Sequence, residues 1–324
     1  MKTIINLVDD GQLWKFHGGI HPPSRKERTN KKLIEVVAMP DALYLSLEQH
    51  IGQPAIAVVK VGDSVTKGQL LAKQDGFISA AIIAPTSGII KEIGLFSNNH
   101  PSGIAAQTIT LTPDHLDTWR ERQPLTINDD KTAIINRIKE AGITGLGGAS
   151  FPSAVKLSTN AAIDFLIING AECEPYITSD DALMQQHSDS IIAGVEIMAT
   201  LINPKRIIIA IEDNKPQAII AMEKAAEDVA NKLEIIIRAI PTLYPAGGEK
   251  QLIEVLTSKQ VPSGKIPADI GVLVQNVATS HAIAQAVLLD HPLLSRIVTV
   301  TGDLVAQPGN YQVPLGMSIE QLLI

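Results

Sequence analysis

Residues 165–176 read FLIINGAECEPY, an apolar run that ends abruptly in a polar, acidic turn. Similar short runs, rich in isoleucine and valine, recur with helical patterns between them at 206–211, 234–240 and 271–277. This alternation predicts an α/β domain built on a doubly wound parallel sheet. Because such a sheet binds its ligand at the carboxyl ends of its strands, we expect a ligand beside the turn that begins at Asn169.

A glycine-rich segment lies upstream at 145–152, where the sequence reads GLGGASFP, and Lys156 follows it. The pattern predicts a turn that opens a short helix, whose unpaired N–H groups and positive end suit a phosphate. Gly145, Gly147 and Gly148 would let a ligand approach the backbone closely. Lys156 would add a positive charge, unless it belongs only to a solvated surface. With the acidic turn, this segment predicts a nucleotide-type site.

Two further polar positions, Asn276 and Thr279, follow the predicted strand at 271–277. The carboxyl ends of parallel strands share one edge of the sheet, so we expect these side chains to converge with Asn169. Ordinary capping of loops is the alternative role for all three residues.

The composition argues against several classes of partner. The 324 residues include only 5 Phe, 2 Trp and 4 Tyr, which argues against stacking on single-stranded nucleic acid. The net charge of −7 argues against binding to a phosphate backbone, so we predict no nucleic-acid partner. The N-terminus lacks a signal-peptide pattern, and no apolar run approaches the ~20 residues that span a bilayer.

Cysteine and histidine usage limits metal and redox chemistry. Cys173 is the only cysteine in the sequence, which excludes an internal disulfide and points to the cytosol. One thiolate also cannot hold an iron–sulfur cluster, because a cluster needs about four. Since no histidine is near Cys173 in the sequence, we predict that Cys173 is a small buried residue and not a nucleophile. His17 and His21 lie in FHGGIHPP, where glycines argue against a metal-binding helix, so we predict structural roles and no metal site.

The N-terminal part divides into segments of different character. Residues 1–40 are predicted to form an arm, and residues 41–112 contain short strands and turns that resemble a lipoyl- or biotinyl-like barrel-sandwich. The tip at 74–79 carries no lysine and Lys73 lacks the carrier motif, so we favour a scaffold over a swinging arm. Residues 113–128 are predicted to be a polar linker.

The C-terminal part begins with an amphipathic helix predicted near 131–141, within a domain at 129–292. Residues 293–324 contain a predicted hairpin at 296–311 and the start of a helix. One hairpin and one helix are too little for an independent core, so we expect the natural polypeptide to continue.

Five motifs together resemble one known family: GLGGASFP, NGAECEP, IEDNKP at 211–216, YPAGGEKQL at 244–252 and VQNVAT at 274–279. They resemble the C subunit of the Rnf-type ion-translocating ferredoxin:NAD oxidoreductase over nearly the whole chain. The resemblance implies that residues 129–292 form a Rossmann-like domain similar to the FMN- and NADH-binding subunit of complex I. It also implies that residues 293–324 begin a β-grasp, soluble-ligand-binding domain.

The resemblance implies roles for individual side chains. Glu172 and Glu174 would contact the polar edge of FMN and the hydroxyls of the nicotinamide nucleotide, with Glu174 serving the nucleotide. Alternation along an extended segment would place both carboxylates on one side. Phe151 would stack on the nicotinamide or adenine ring, unless it packs in the core. A further group would close over the flavin: Tyr244, Gly247, Gly248, Glu249 and Lys250.

By this resemblance, the chain would be the electron-input module of an Rnf complex. It would exchange hydride between NAD(H) and bound FMN, and the flavin itself would supply the redox chemistry, so we assign no catalytic residue. [4Fe-4S] clusters are expected only in a longer protein, which would pass electrons indirectly to a ferredoxin-like carrier. Other Rnf subunits would hold the chain as a peripheral protein at the cytoplasmic side of the bacterial inner membrane.

Two alternative functions stay open. A flavin-dependent cobalamin reductase would share much of this architecture, and a non-catalytic assembly subunit could retain the fold without the cofactor. Ala171 and Gly248 stand where the complex I motif has acidic residues, which favours the assembly subunit. The glycine-rich segment and Lys156 favour an enzyme.

Overall fold

The structure is a computed structural model that describes residues 2–97 and 103–323. Residues 1, 98–102 and 324, which fall within the predicted arm, barrel-sandwich and terminal domain, lie outside the described residues. The chain forms two compact units. The first unit contains the residues up to Ile34 with Ser158–His281 and Thr299–Asn310, and the second contains Glu35–Leu157, Ala282–Val298 and the residues from Tyr311 onward.

The elements are numbered along the chain. The strands are β1 (Ile34–Val36), β2 (Leu43–Ser46), β3 (Ile56–Ala57), β4 (Ser64–Val65), β5 (Leu70–Lys73), β6 (Ile82–Ile83), β7 (Gly88–Ser97), β8 (Ala105–Pro113), β9 (Phe165–Gly170), β10 (Arg206–Glu212), β11 (Ile235–Ile240), β12 (Val272–Asn276), β13 (Ser295–Val300) and β14 (Gly309–Pro314). The helices are α1 (Ile4–Asp9), α2 (Lys131–Glu140), α3 (Ser153–Leu157), α4 (Ser179–Gln186), α5 (Ser188–Ile202), α6 (Pro216–Glu227), α7 (Glu249–Thr257), α8 (Val277–Leu288) and α9 (Ile319–Leu323), with a 3₁₀ helix at Pro267–Ile270.

The first unit is organised around a four-stranded sheet in the order β11–β10–β9–β12, in which all neighbouring strands run parallel. The predicted parallel sheet and its four strands are therefore confirmed. Ile167 of β9 is paired with Ile208 of β10 and Val274 of β12, and all three are buried. Such continuous burial explains why the strands read as unbroken apolar runs instead of alternating patterns.

Two predicted helices differ from the observed ones. The pattern at 180–201 predicts one helix, whereas the structure has α4 and α5 separated at His187, whose ψ of 30° lies outside the helical range. The pattern at 216–232 predicts a helix that in fact ends at Glu227, before Asp228 and the turn that follows it. Aspartate and asparagine are weak helix formers, which the apolar periodicity alone does not register. The predicted helix near 131–141 is confirmed as α2, which Asp130 caps.

The second unit contains two antiparallel sheets, ordered β2–β8–β7–β4 and β3–β5–β6, around a shared apolar core. The all-β interpretation of this segment is confirmed for the described residues. At the predicted tip, Phe77 is 78% exposed and no lysine is present between 74 and 79.

A third sheet has the order β1–β14–β13. The two strands predicted at 296–311 are therefore neighbours, as expected. The strand β1 beside them was not predicted, because its three residues are too few to show a period. The helix predicted at the C-terminal end is confirmed as α9 for the described residues.

Candidate functional site

The polar residues that end β9 and β12 meet at one edge of the parallel sheet. Asn169 and Asn276 are register partners, as the topology predicts. The Asn169 amide donates to the backbone oxygen of Gly247 at 2.8 Å, and the Asn276 amide donates to the Asp180 carboxylate at 2.6 Å. The Asn276 side-chain oxygen also accepts from the N–H of Ala278 at 2.8 Å and caps α8. Both asparagines thus hold the loops at this edge in place.

Thr279 lies in the first turn of α8 and is fully buried. Its backbone N–H is 3.4 Å from the side-chain oxygen of Asn276, which accepts from it. Thr279 therefore lies close to the sheet edge, but its side chain is not exposed there.

Glu172 and Glu174 differ in exposure, which the predicted placement of both carboxylates on one side of an extended segment does not account for. Glu172 is only 5% exposed and accepts hydrogen bonds from the Ser179 hydroxyl at 3.1 Å and the Asp180 N–H at 2.8 Å. Glu174 is exposed. The chain is not extended here: it bends after Cys173 and reaches a positive φ of 72° at Tyr176, which removes the alternation of a strand.

A buried cluster of charges, absent from the predicted site, surrounds Glu172. Lys26 donates to the Glu172 carbonyl at 2.8 Å, and Lys215 donates to the Glu212 carboxylate at 2.5 Å and to the same carbonyl at 3.3 Å. Glu212 is 0% and Lys215 2% exposed. The motif IEDNKP contained the signal, because Glu212 ends β10 at the same edge of the sheet as Asn169, the last residue but one of β9.

Burial dominates the electrostatics of this cluster. Burial, assisted by the negative charge of Asp180, raises the pKa of Glu172 to about 7, and the nearby Lys26 opposes this rise. Burial likewise lowers the pKa of Lys26. One carboxylate oxygen of Glu212 has no hydrogen-bond partner among the described residues. Because a buried acceptor without a partner costs free energy, this oxygen suits a ligand that donates a hydrogen bond.

The segment 244–249 lies against residues 171–177, the acidic loop that follows β9. Tyr244 pairs with Ile20 of the arm through two backbone hydrogen bonds, of 2.8 and 2.9 Å, and Glu249 is an exposed first residue of α7. A Cβ at Gly247 would stand 2.3 Å from the carbonyl oxygen of Ala171. Glycine is therefore required at 247 for close packing of two loops, and not only for access by a ligand.

The glycine-rich segment lies in the second unit. The Gly145 N–H donates to the Phe151 carbonyl at 2.8 Å and closes a loop whose Gly147 and Gly148 are exposed. Gly148 has a φ of +133°, and nothing lies within 4 Å of where its Cβ would be. The loop therefore leaves open space beside its backbone.

The helix after this loop is shorter than a helix-dipole argument needs. The short helix predicted after the loop is present as α3, but its five residues give only a small helix dipole. Lys156 lies in the last turn of α3 and is half-buried, as is Phe151.

Cys173 is buried, as predicted. It lines a cavity of about 40 Å³ together with His21, Asn214 and Tyr244. Such a volume holds one or two water molecules and no nucleotide. Burial also raises the pKa of the thiol, which keeps it protonated and unreactive.

Sequence profiles of known domains match most of the chain. The Nuo51 FMN-binding domain matches residues 138–285, the RnfC barrel sandwich hybrid domain matches residues 14–116, and the SLBB domain matches residues 297–324. The first of these matches contains both the glycine-rich segment and the acidic loop.

Proteins named as the C subunit of an ion-translocating oxidoreductase complex are similar to the chain along its whole length. The one from Pasteurella multocida (strain Pm70) is 46% identical over 323 residues, which are 99% of this chain and 38% of that protein. The one from Yersinia pestis bv. Antiqua (strain Antiqua) is 46% identical over 326 residues, which are 100% of this chain and 52% of that protein. The chain belongs to the RnfC family. It spans about half the length, or less, of the curated RnfC relatives that it matches.

Solved structures of a redox enzyme share the fold of part of this RnfC chain. An NAD⁺-reducing [NiFe]-hydrogenase in the air-oxidized state is 28% identical with a TM-score of 0.53, over 60% of this chain and 38% of that chain. The H₂-reduced state superposes with a TM-score of 0.54 at 24% identity, over 77% of this chain and 51% of that chain, and shows the fold alone.

Two findings concern residues 2–97 and 103–323 of this RnfC chain, one on helices that could span a membrane and one on groups of side chains that could hold a metal ion. In that part, no helix is both long and apolar enough to cross a membrane. The same residues contain no group of three or more His, Cys, Asp or Glu side chains that could hold a metal ion.

Proposed function

We propose that this RnfC-family chain is the electron-input module of an Rnf-type ion-translocating NAD:ferredoxin oxidoreductase and exchanges hydride between NAD(H) and bound FMN. The observation that carries the proposal is the match of residues 138–285 to the Nuo51 FMN-binding domain. The relation to an NAD⁺-reducing hydrogenase at 28% identity supports the nicotinamide nucleotide as the second ligand.

The glycine-rich loop fits the phosphate of FMN. Its open side at Gly148 provides room where any other residue would place a Cβ, so phosphate oxygens can reach backbone N–H groups. Gly145 and Gly147 extend this surface, and Lys156 adds a positive charge to it. When bound, FMN accepts two electrons as hydride and releases them one at a time.

The sheet edge of the first unit supplies hydrogen-bonding groups for a ligand rich in hydroxyls and amides. Asn169, Asn276 and Thr279 fix the backbone at this edge, which holds the loops there in place for a ligand. The Glu172 carboxylate already accepts a hydrogen bond from the first turn of α4, so we assign Glu172 the role of fixing the loop conformation at the polar edge of the flavin.

The nicotinamide nucleotide uses the more exposed groups. Glu174 is exposed on the acidic loop, and its carboxylate can accept from ribose hydroxyls. Phe151 offers a ring face for stacking. Tyr244, Gly247 and Glu249 form the segment that covers the flavin, with Gly247 packed on the acidic loop.

Partners and location follow from the same proposal. With one cysteine, this chain holds no [4Fe-4S] cluster alone, so electrons leave the flavin through clusters elsewhere in the full protein. Other Rnf subunits hold it at the cytoplasmic side of the bacterial inner membrane, and a ferredoxin-like carrier exchanges electrons with it indirectly.

The role of the glycine-rich loop is tested by an FMN titration of the wild type and Gly145→Ala. A Cβ at Gly145 would make only ordinary contacts, the nearest at 3.6 Å from the Phe151 carbonyl oxygen, so the variant folds. We expect the added methyl to weaken FMN binding by about tenfold, because it occupies the surface that the phosphate approaches.

Gly94→Ala is the matched control, since Gly94 lies in β7 of the same unit and its Cβ would also meet only an ordinary contact, at 3.4 Å. It should bind FMN like the wild type. Equal FMN affinity in Gly145→Ala would remove the loop from the site, and no FMN binding by the wild type would favour a non-catalytic assembly subunit.

A further inference from the structure

The N-terminal arm grips the acidic loop at both of its ends. The Ser24 carbonyl accepts from the N–H of Tyr176 at 2.8 Å. Lys26 donates to the carbonyls of Glu172, at 2.8 Å, and Ile177, at 2.5 Å. One ammonium group thus ties together the two ends of a loop, 172–177, whose middle carries the exposed Glu174.

Burying the Lys26 ammonium at this position costs free energy. It is 6% exposed, and the nearest carboxylate oxygen, on Glu172, is 4.0 Å away. A buried ammonium without a close counter-ion costs more free energy than an apolar side chain of the same length. Its two short bonds to carbonyls account for its presence, because a single ammonium has several donors and an apolar side chain has none.

The loop has no regular secondary structure that would fix its shape. Residues 173–176 form neither helix nor strand, and Tyr176 has a positive φ of 72°. An L-residue in that region needs support from its surroundings, which the bond from Tyr176 to the arm provides.

We propose that Lys26 is a positioning residue for the nicotinamide nucleotide: it clamps the loop 172–177 in the one conformation that presents Glu174 to the ligand. This inference rests on the proposed function for its ligand, whereas the clamp itself is a property of the protein alone. Lys26 touches no ligand in this account and acts only through the loop.

The test compares Lys26→Met with Lys32→Met in the full chain loaded with FMN. Lys32 lies in the same arm and also donates to a backbone carbonyl, that of Pro308 at 2.5 Å, but it does not touch the loop. We expect Lys26→Met to raise the KM for NADH about tenfold with kcat nearly unchanged, the pattern of lost binding. Lys32→Met should retain the wild-type KM.

A second measurement needs no cofactor. Hydrogen exchange at the Tyr176 amide should become at least about tenfold faster in Lys26→Met and stay slow in Lys32→Met. Lys26→Gln retains a donor and should lie between the wild type and Lys26→Met in both measurements. It also gives a result if Lys26→Met fails to fold.

The pH dependence of the KM for NADH provides a third signature. Charged groups from four elements surround the Glu172 carboxylate. They are Lys26 of the arm, Glu212 of β10 with Lys215 of the turn after it, Asp180 and Asp181 of α4, and Glu174 of the same loop. Burial places the pKa of Glu172 at about 7, and Lys26 lowers it. Removing the ammonium should therefore move this ionisation to higher pH in Lys26→Met and leave it in place in Lys32→Met.

The outcomes separate the two proposals. An unchanged KM in Lys26→Met with fast exchange at Tyr176 would overturn the positioning role and keep the clamp. Unchanged exchange would overturn the clamp itself. A wild type that binds no NADH would overturn the proposed function, and the exchange rates would still decide whether Lys26 holds the loop.

Discussion

Lys215→Met should destabilise the protein by about 3–5 kcal/mol, a large share of the stability of an ordinary domain. The ammonium of Lys215 is 2.5 Å from the Glu212 carboxylate, and the two side chains are 1% and 0% exposed. Removing the cation leaves a buried carboxylate without compensation, although its other oxygen already lacks a partner among the described residues. The loss is read from the urea midpoint of unfolding.

A double variant that removes both charges is the control for Lys215→Met. Replacing both partners in Lys215→Met/Glu212→Leu removes the charge together with its counter-ion, so most of the lost stability should return. Lys224→Met alters an exposed lysine of α6 and should change stability by less than about 0.5 kcal/mol. A wild-type midpoint for Lys215→Met would show that the buried pair does not stabilise the first unit.

Gly247→Ala should reduce NADH-dependent flavin reduction by about a hundredfold, since displacements of about 1 Å at an active site have effects of that size. The added Cβ would stand 2.3 Å from the Ala171 carbonyl oxygen and 3.2 Å from the Cys173 sulfur. Both atoms belong to the loop that carries Glu172 and Glu174. Either this loop or the start of α7 must move, so the groups proposed to bind the two ligands separate.

Gly248→Ala is the matched variant for that experiment. Its Cβ would stand 2.5 Å from the end of the flexible Gln251 side chain, which can rotate away, and 3.1 Å from the Pro245 carbonyl oxygen, which must shift by only a few tenths of an ångström. It should therefore keep activity within a few-fold of the wild type. Full activity in Gly247→Ala, measured as single-turnover flavin reduction, would contradict the proposed dependence on loop packing.

The sheet could be predicted because each strand carries its own local signal. Runs such as FLII at the start of β9 are buried on both faces, and the parallel order then brings Asn169 and Asn276 together. The break at His187 was missed although the sequence carries a signal for it: residues 185–190 read QQHSDS, and these six polar residues interrupt the apolar period where α4 ends and α5 begins.

The charges of the site could not be predicted in the same way. Lys26 is 146 residues from Glu172 in the sequence, and nothing local indicates that its ammonium is buried against that loop. The different exposure of Glu172 and Glu174 accompanies a bend at 174–176 that has no repeating pattern. Pairing of distant segments and irregular loop conformations are set by tertiary packing, which periodicity does not encode.

We expect this RnfC-family chain to bind FMN and to accept hydride from NADH without any other subunit. The decisive measurement is the visible flavin absorbance of the FMN-loaded chain after anaerobic mixing with NADH. We expect rapid bleaching of the bound flavin in proportion to the NADH added. Bound flavin that stays oxidised in the presence of excess NADH would contradict this expectation.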